Sequence, residues 1–227
     1  MALSIDIISD VVCPWCYIGK RRIEAALALY RERFPDNPEP LVRWWPFQLN
    51  PDMPAEGVDR GEYLAKKFGS NQVGSIYSRV SAVGSEVGIP FAFEKMVRQP
   101  NTLAAHSLIA LAVEHGVQHD LAETLFNAYF IEGQNFTDEA TLLRLAAEAG
   151  IPGDAASECL ASEVAREQVM GHEDQARKLG VSGVPFFLFN GAVGVSGAQE
   201  AETLLEAMIK AETETETEND KSAETAT

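Results

Sequence analysis

The sequence predicts an α/β fold whose sheet is assembled from the two ends of the chain, with a long helical stretch between them. Three observations carry this expectation. Within the first 47 residues an apolar strand run, a helix and a second strand run follow one another, which makes a parallel βαβ unit. From Arg60 to about Cys159 the strand signal disappears. A short hairpin and a final amphipathic helix then complete an α/β layer over the first unit. At 227 residues with 46% apolar side chains, the chain can bury the core of one large domain or two small ones.

Leu3 to Ile8 is the first strand run, and Cys13-Pro14-Trp15-Cys16 opens the helix after it. Two cysteines three positions apart on a first helical turn bring their Cα atoms close enough for a disulfide. Pro14 suits the first helical position, where an N–H has no partner to lose. Unpaired N–H groups and the helix dipole favour negative charge at the same place, so Cys13 is the expected nucleophile. Ile23, Ala26, Leu27, Tyr30 and Phe34 recur at helical spacing on one buried face. Lys20, Arg21 and Arg22 are assigned to the solvated face, with added positive potential near the thiols as the alternative. Pro35, Pro38 and Pro40 end the helix, and Leu41-Val42-Arg43-Trp44-Trp45-Pro46-Phe47 has strand composition. The CxxC thus lies at the carboxyl end of the first strand, where open α/β sheets place their chemistry. Asp10 reads as a turn or cap carboxylate, with a proton relay as the alternative.

In the middle, helical patterns run around Tyr63 to Phe68, from Val73 to Val87, from Asn101-Thr102 through Leu111, and from Leu121 to Phe130. Another starts at Thr137-Asp138-Glu139 and ends at Gly150. A further helix covers Glu163 to Leu179. Gly183-Val184-Pro185 leads into Phe186-Phe187-Leu188-Phe189, then a turn at Asn190-Gly191 and a second short run, the strongest local hairpin signal. The last helix is expected from Ala198 to about Lys210, with Leu204, Leu205, Met208 and Ile209 on one side. The Thr-Glu alternation that follows is acidic, low in complexity and nearly free of large apolar groups, so residues 212–227 are expected to be disordered.

The formal net charge is −16, of which −5 lies in residues 212–227, so the body carries −11. Such a surface repels phosphate backbones and anionic bilayers, which argues against nucleic-acid and membrane partners. The first residues show neither a basic n-region nor a long apolar stretch, and no run is long enough to span a bilayer. A cytoplasmic location is expected, where a close cysteine pair is catalytic or metal-binding rather than a structural staple. Cys13, Cys16 and Cys159 with a histidine are one conceivable zinc set. With no second closely spaced pair, no metal site is assigned, and Cys159 is taken as a small buried apolar residue.

Taken together, the CxxC after a first strand and the Gly-Val-Pro before a late hairpin resemble the thioredoxin superfamily. The fuller strings Ser9-Asp10-Val11-Val12-Cys13-Pro14-Trp15-Cys16-Tyr17-Ile18-Gly19-Lys20, Trp44 to Pro51 and Val195-Ser196-Gly197-Ala198-Gln199 resemble the DsbA-like subfamily that includes FrnE. The resemblance implies a thioredoxin-like fold with an all-helical insertion domain. Residues 1–58 and 164–211 would form the thioredoxin-like domain, 59–163 the insertion and 212–227 the tail. It implies a cis Val184–Pro185 peptide beside the CxxC, with Val184 offering its backbone to an extended substrate chain. Pro14 and Trp15 would line the substrate face, and Cys16, one turn in and less exposed, would resolve the mixed disulfide. Asn101 and His106 resemble a segment that faces the active site from the insertion. No cofactor is implied beyond the redox-active Cys13–Cys16 pair, with glutathione as an external reductant or co-substrate. Clients would be protein thiols and disulfides or small disulfides, and the protein a monomer or homodimer. A related branch, the 2-hydroxychromene-2-carboxylate isomerases and kappa-class glutathione transferases, supplies the alternative activity. That branch has serine in place of the first cysteine and a Ser-Asp pair where this chain has Gly197-Ala198.

Overall fold

The computed structural model describes residues 2–69 and 71–225. Its element order is β1 (Ser4–Ser9), α1 (Pro14–Arg33), β2 (Leu41–Pro46), β3 (Val58–Asp59), α2 (Arg60–Phe68), α3 (Val73–Glu86), β4 (Arg98–Gln99), α4 (Leu103–Leu111), α5 (Gln118–Asn127), α6 (Glu139–Glu148), α7 (Gly153–Ala161), α8 (Glu163–Lys178), β5 (Phe186–Phe189), β6 (Val193–Ser196) and α9 (Ala201–Thr225). A π-helical turn at Ala128–Glu132 extends α5.

Four strands form one sheet in the order β2-β1-β5-β6, with β2 parallel to β1 and the other pairs antiparallel. Strand β1 is central and apolar. Its Ile5 and Ile7 pack with Phe187 and Phe189 of β5, Ile23 and Leu27 of α1, and Leu204 and Met208 of α9. Ile8 points the other way, into a smaller cluster with Phe47, Val181 and Ala176 of α8. This alternation is what a central strand covered on both faces requires. The hairpin turns at Asn190 (φ 48°) and Gly191 (φ 69°), the two positive φ values a type I′ turn needs. Asn190 also receives the Ser4 N–H at 2.9 Å on its side-chain oxygen, tying the turn to the start of β1.

The stretch between β2 and α8 is helical, with one exception that has no sequence signal. Val58 and Asp59 pair with Gln99 and Arg98 in a two-residue ladder, too short to show alternation. Asp59 caps α2 by accepting from Glu62 N at 2.9 Å, and Asp138 caps α6 by accepting from Thr141 N at 3.1 Å.

Two expectations are corrected. Lys20 and Arg22 do not lie on a solvated face of α1: they are 2% and 8% exposed. Lys20 Nζ lies 2.5 Å from Glu24 and 2.8 Å from Glu123, and Arg21, half-buried, also pairs with both carboxylates. Tyr17 donates to Glu123 at 2.9 Å and stacks on Phe126 at 5.1 Å, so this network fastens α1 to α5. Arg22 instead pairs with Glu200 at 2.5 Å.

The second correction concerns the chain end. Helix α9 continues past Lys210 to Thr225, so residues 212–225 are helical rather than disordered; residues 226–227 lie outside the described residues. Contacts with the body account for its first extra turn. Tyr30 donates to Glu212 at 2.5 Å, and Asn190 Nδ2 donates to Thr215 Oγ1 at 3.1 Å.

Candidate active site

The site is built where β1 runs into α1. Asp10-Val11-Val12 makes the turn, with Asp10 O accepting from Cys13 N at 3.0 Å. Cys13 is the N-cap of α1, with extended backbone (φ −94°, ψ 112°) and no side-chain cap bond, so its sulfur is not spent on the helix's own N–H groups. Cys13 O accepts from Cys16 N at 3.0 Å and starts the helix. Both thiols are free and buried, Cys16 the deeper at 1% exposed. Burial pushes the Cys16 thiol well up from its ordinary range, and the adjacent Cys13 sulfur adds to this; the Ser9 side chain and the Asp10 backbone pull the other way. The more deeply buried thiol, pushed up in this way, sits one turn behind a cysteine at the helix N-terminus.

Opposite the pair, the Val184–Pro185 peptide is cis, and Val184 O lies 3.6 Å from Cys13 Sγ. Gly197 N donates to Pro185 O at 2.8 Å, which anchors this loop to the end of β6. Gly19, three residues past Cys16, admits this loop: a Cβ there would lie 3.0 Å from Pro185 Cγ and 3.1 Å from Phe187 Cζ. Gly19 carries this role without having been singled out, although its place three residues after Cys16 is visible in the sequence.

The remaining predicted residues divide. Pro14 and Trp15 are half-buried beside the cysteines, Trp15 against the main core. Asn101 braces a neighbouring loop: its side chain donates to Met53 O at 2.7 Å and accepts from Leu103 N at 2.9 Å and Gln48 Nε2 at 3.4 Å. His106 lies behind the CxxC turn, 2% exposed, with Nε2 3.4 Å from Asp10 Oδ1. Asp10 is fully buried and accepts from Leu49 N at 2.8 Å, more than a surface turn carboxylate would show. Cys159 is half-buried rather than buried, and its thiol donates to Ser107 O at 3.4 Å. No group of three or more His, Cys, Asp or Glu side chains is arranged to hold a metal ion among the described residues.

A dithiol at a helix N-terminus facing a cis-proline loop is shared by a whole class of proteins, and comparison decides which. The chain matches the DSBA-like thioredoxin domain over residues 4–209. It belongs to that family. Within this DsbA-like family, the fold is similar to that of a probable DsbA oxidoreductase from Streptomyces coelicolor, 30% identical, with a TM-score of 0.85 over 93% of this chain and 91% of that one. The chain is also similar to YwbO, an uncharacterised protein of Bacillus subtilis (strain 168), 25% identical over 196 residues, 85% of this chain and 90% of its relative. A cytosolic disulfide reductase, DsbM from Pseudomonas aeruginosa, solved with GSH, shares the fold at 17% identity and a TM-score of 0.60, covering 96% and 99% of the two chains. No helix among the described residues is long and apolar enough to cross a membrane.

Proposed function

We propose that this DsbA-like protein exchanges disulfides with its clients through the Cys13-Pro14-Trp15-Cys16 dithiol couple. The observation that carries the reading is the placement of Cys13: N-cap of α1, with Sγ 3.6 Å from Val184 O and the buried Cys16 one turn behind. In the reducing direction, Cys13 thiolate attacks a client disulfide, one client sulfur leaves as thiolate, and a mixed disulfide forms. Cys16 thiolate then attacks Cys13 Sγ, the second client thiolate leaves, and Cys13–Cys16 closes; oxidation runs the same steps backwards. The Val184 backbone, beside the attacking sulfur, is the surface on which an extended client chain would pair. Clients are protein thiols and disulfides or small disulfides in the cytoplasm, with glutathione as reductant.

Trapping tests this directly. Cys16→Ser should accumulate a covalent mixed disulfide with a disulfide client such as insulin, released by dithiothreitol, and Cys13→Ser should form none. Turnover of insulin disulfides should be lost in both. Equal trapping by Cys13→Ser would contradict the assignment, and glutathione-dependent isomerisation would become the reading to assay.

A further inference from the structure

The sheet edge at β2 is closed by a side chain rather than by a neighbouring strand. Gln118 accepts from Trp44 N at 2.8 Å, and its amide nitrogen donates to Trp44 O at 3.0 Å and to Ile109 O at 3.1 Å. The backbone pair that an added strand would need at Trp44 is therefore taken. Beside this edge, α4, α7 and α8 leave an open cavity of about 770 Å³, within the size range of small-molecule sites. Neither cysteine of the CxxC lines it, nor does Val184.

The cavity is aromatic inside and acidic at its mouth. Trp44, buried, and Trp45, half-buried, both line it. Neither indole N–H is open to a ligand: Trp45 Nε1 donates to Asp6 at 2.8 Å, and Trp44 Nε1 to His119 Nδ1 at 3.3 Å. What the two rings offer is carbon and π surface. The guanidinium in the wall, Arg43, is also engaged, donating to both oxygens of Asp6 at 2.7 and 3.1 Å. Glu114 and Glu158, by contrast, are exposed at the mouth and have no basic partner among the described residues. Cys159 lies in the same wall. Burial raises its pKa and the Glu114 charge adds to this, while Arg166, which is outside the wall and donates to Leu160 O at 2.7 Å, opposes it. Deeper in, the wall includes His106, which is 2% exposed and has no hydrogen-bond partner on either ring nitrogen among the described residues. A buried imidazole left without a bond costs stability, and a hydroxyl in the cavity is a donor that could supply one.

We infer that this cavity is a second binding site, for a small aromatic amine with a ring hydroxyl. The ring lies against Trp44 and Trp45, the ammonium sits at the mouth beside Glu114 and Glu158, and the hydroxyl points towards His106. The net charge of −16 draws such a cation in, and the two carboxylates that hold it turn away the corresponding anion. No step of disulfide exchange passes through the site, so the inference stands or falls apart from that reading.

The test uses the full chain carrying Cys13→Ser and Cys16→Ser, in which Cys159 is the only thiol. Alkylation of Cys159 by iodoacetamide is timed at pH 8 in rising tyramine, in the neutral alcohol tyrosol and in the anion 4-hydroxyphenylacetate, which share one ring and hydroxyl. Tyramine should protect the thiol saturably, tyrosol should need more ligand for the same protection, and the anion should give none. Glu114→Gln with Glu158→Gln should raise the half-protecting tyramine concentration by roughly 3–10-fold, as loss of two solvent-exposed ion pairs would. The tyrosol value should not move, which also shows that the cavity is intact. Removing the Glu114 charge speeds alkylation of the free protein, so protection is read as the ratio of rates with and without ligand. His106→Phe should erase the preference for tyramine over phenethylamine, which lacks the hydroxyl. Absence of protection by tyramine, equal protection by cation, alcohol and anion, or a tyramine value unmoved by the two Glu→Gln changes would overturn the site.

Discussion

At the scale of single residues, the two cysteines differ because their surroundings differ. Cys13 caps a helix whose first turn holds no acidic side chain, whereas Cys16 lies deeper and burial pushes its thiol up. Iodoacetamide at neutral pH should therefore label Cys13 well before Cys16, and peptide mass mapping would show it; preferential labelling of Cys16 would contradict the assignment. The same scale shows what sequence could reveal. CxxC was legible because its chemistry is local, and the cis Val184–Pro185 peptide through the family resemblance. The burial of Lys20 was not: a lysine beside two arginines reads as surface, and its partner Glu123 lies far along the chain. The approach of His106 to Asp10 was hidden for the same reason.

Elements bring these residues together, and their fastenings can be measured. Gly19 lets α1 approach the Pro185 loop, so Gly19→Ala should force the two apart, destabilising by about 1–3 kcal/mol as overpacked sites do. Insulin reduction should fall more than the loss of folded protein explains, because Cys13 and Val184 O would separate. The junction of α1 with α5 predicts an acid limb. Burial pushes the Glu24 carboxyl up, but hydrogen bonds from His119, Lys20 and Arg21 prevail and hold it at about 2; Glu123 is lowered in the same way. Both carboxyls titrate lower folded than unfolded, so their stabilisation is complete above the unfolded value of about 4.3 and is lost as pH falls below it, for Glu24 towards about 2. Thermal melts should show a falling Tm over that window, with a shallower fall in Glu24→Gln. The Asn190-Gly191 hairpin and the capped helices were readable because turn and cap chemistry is short-range. The β3–β4 ladder offers two residues per strand, which is too few for a pattern. The first extra turn of the tail's helix is held by Tyr30 and Asn190 reaching Glu212 and Thr215, contacts that composition does not encode.

At the scale of the whole molecule, the sheet comes from both chain ends and the helical segment rises between them, so the CxxC turn, the cis-proline loop and His106 arrive from three separate stretches of sequence. The net charge of −16 acts on every encounter. Reaction with the anionic glutathione disulfide should speed up as salt screens the repulsion, while reaction with cationic cystamine should slow. Matching salt slopes for the two would mean that the field at the site is not set by the body's charge. The central claim, that Cys13 and Cys16 form a reversible redox couple, is tested most directly by equilibration across glutathione buffers. Trp15 fluorescence would be followed while free thiols are trapped and counted by mass. One reversible transition involving two thiols is expected, absent in Cys13→Ser. If no Cys13–Cys16 disulfide formed in any buffer, the claim would be contradicted.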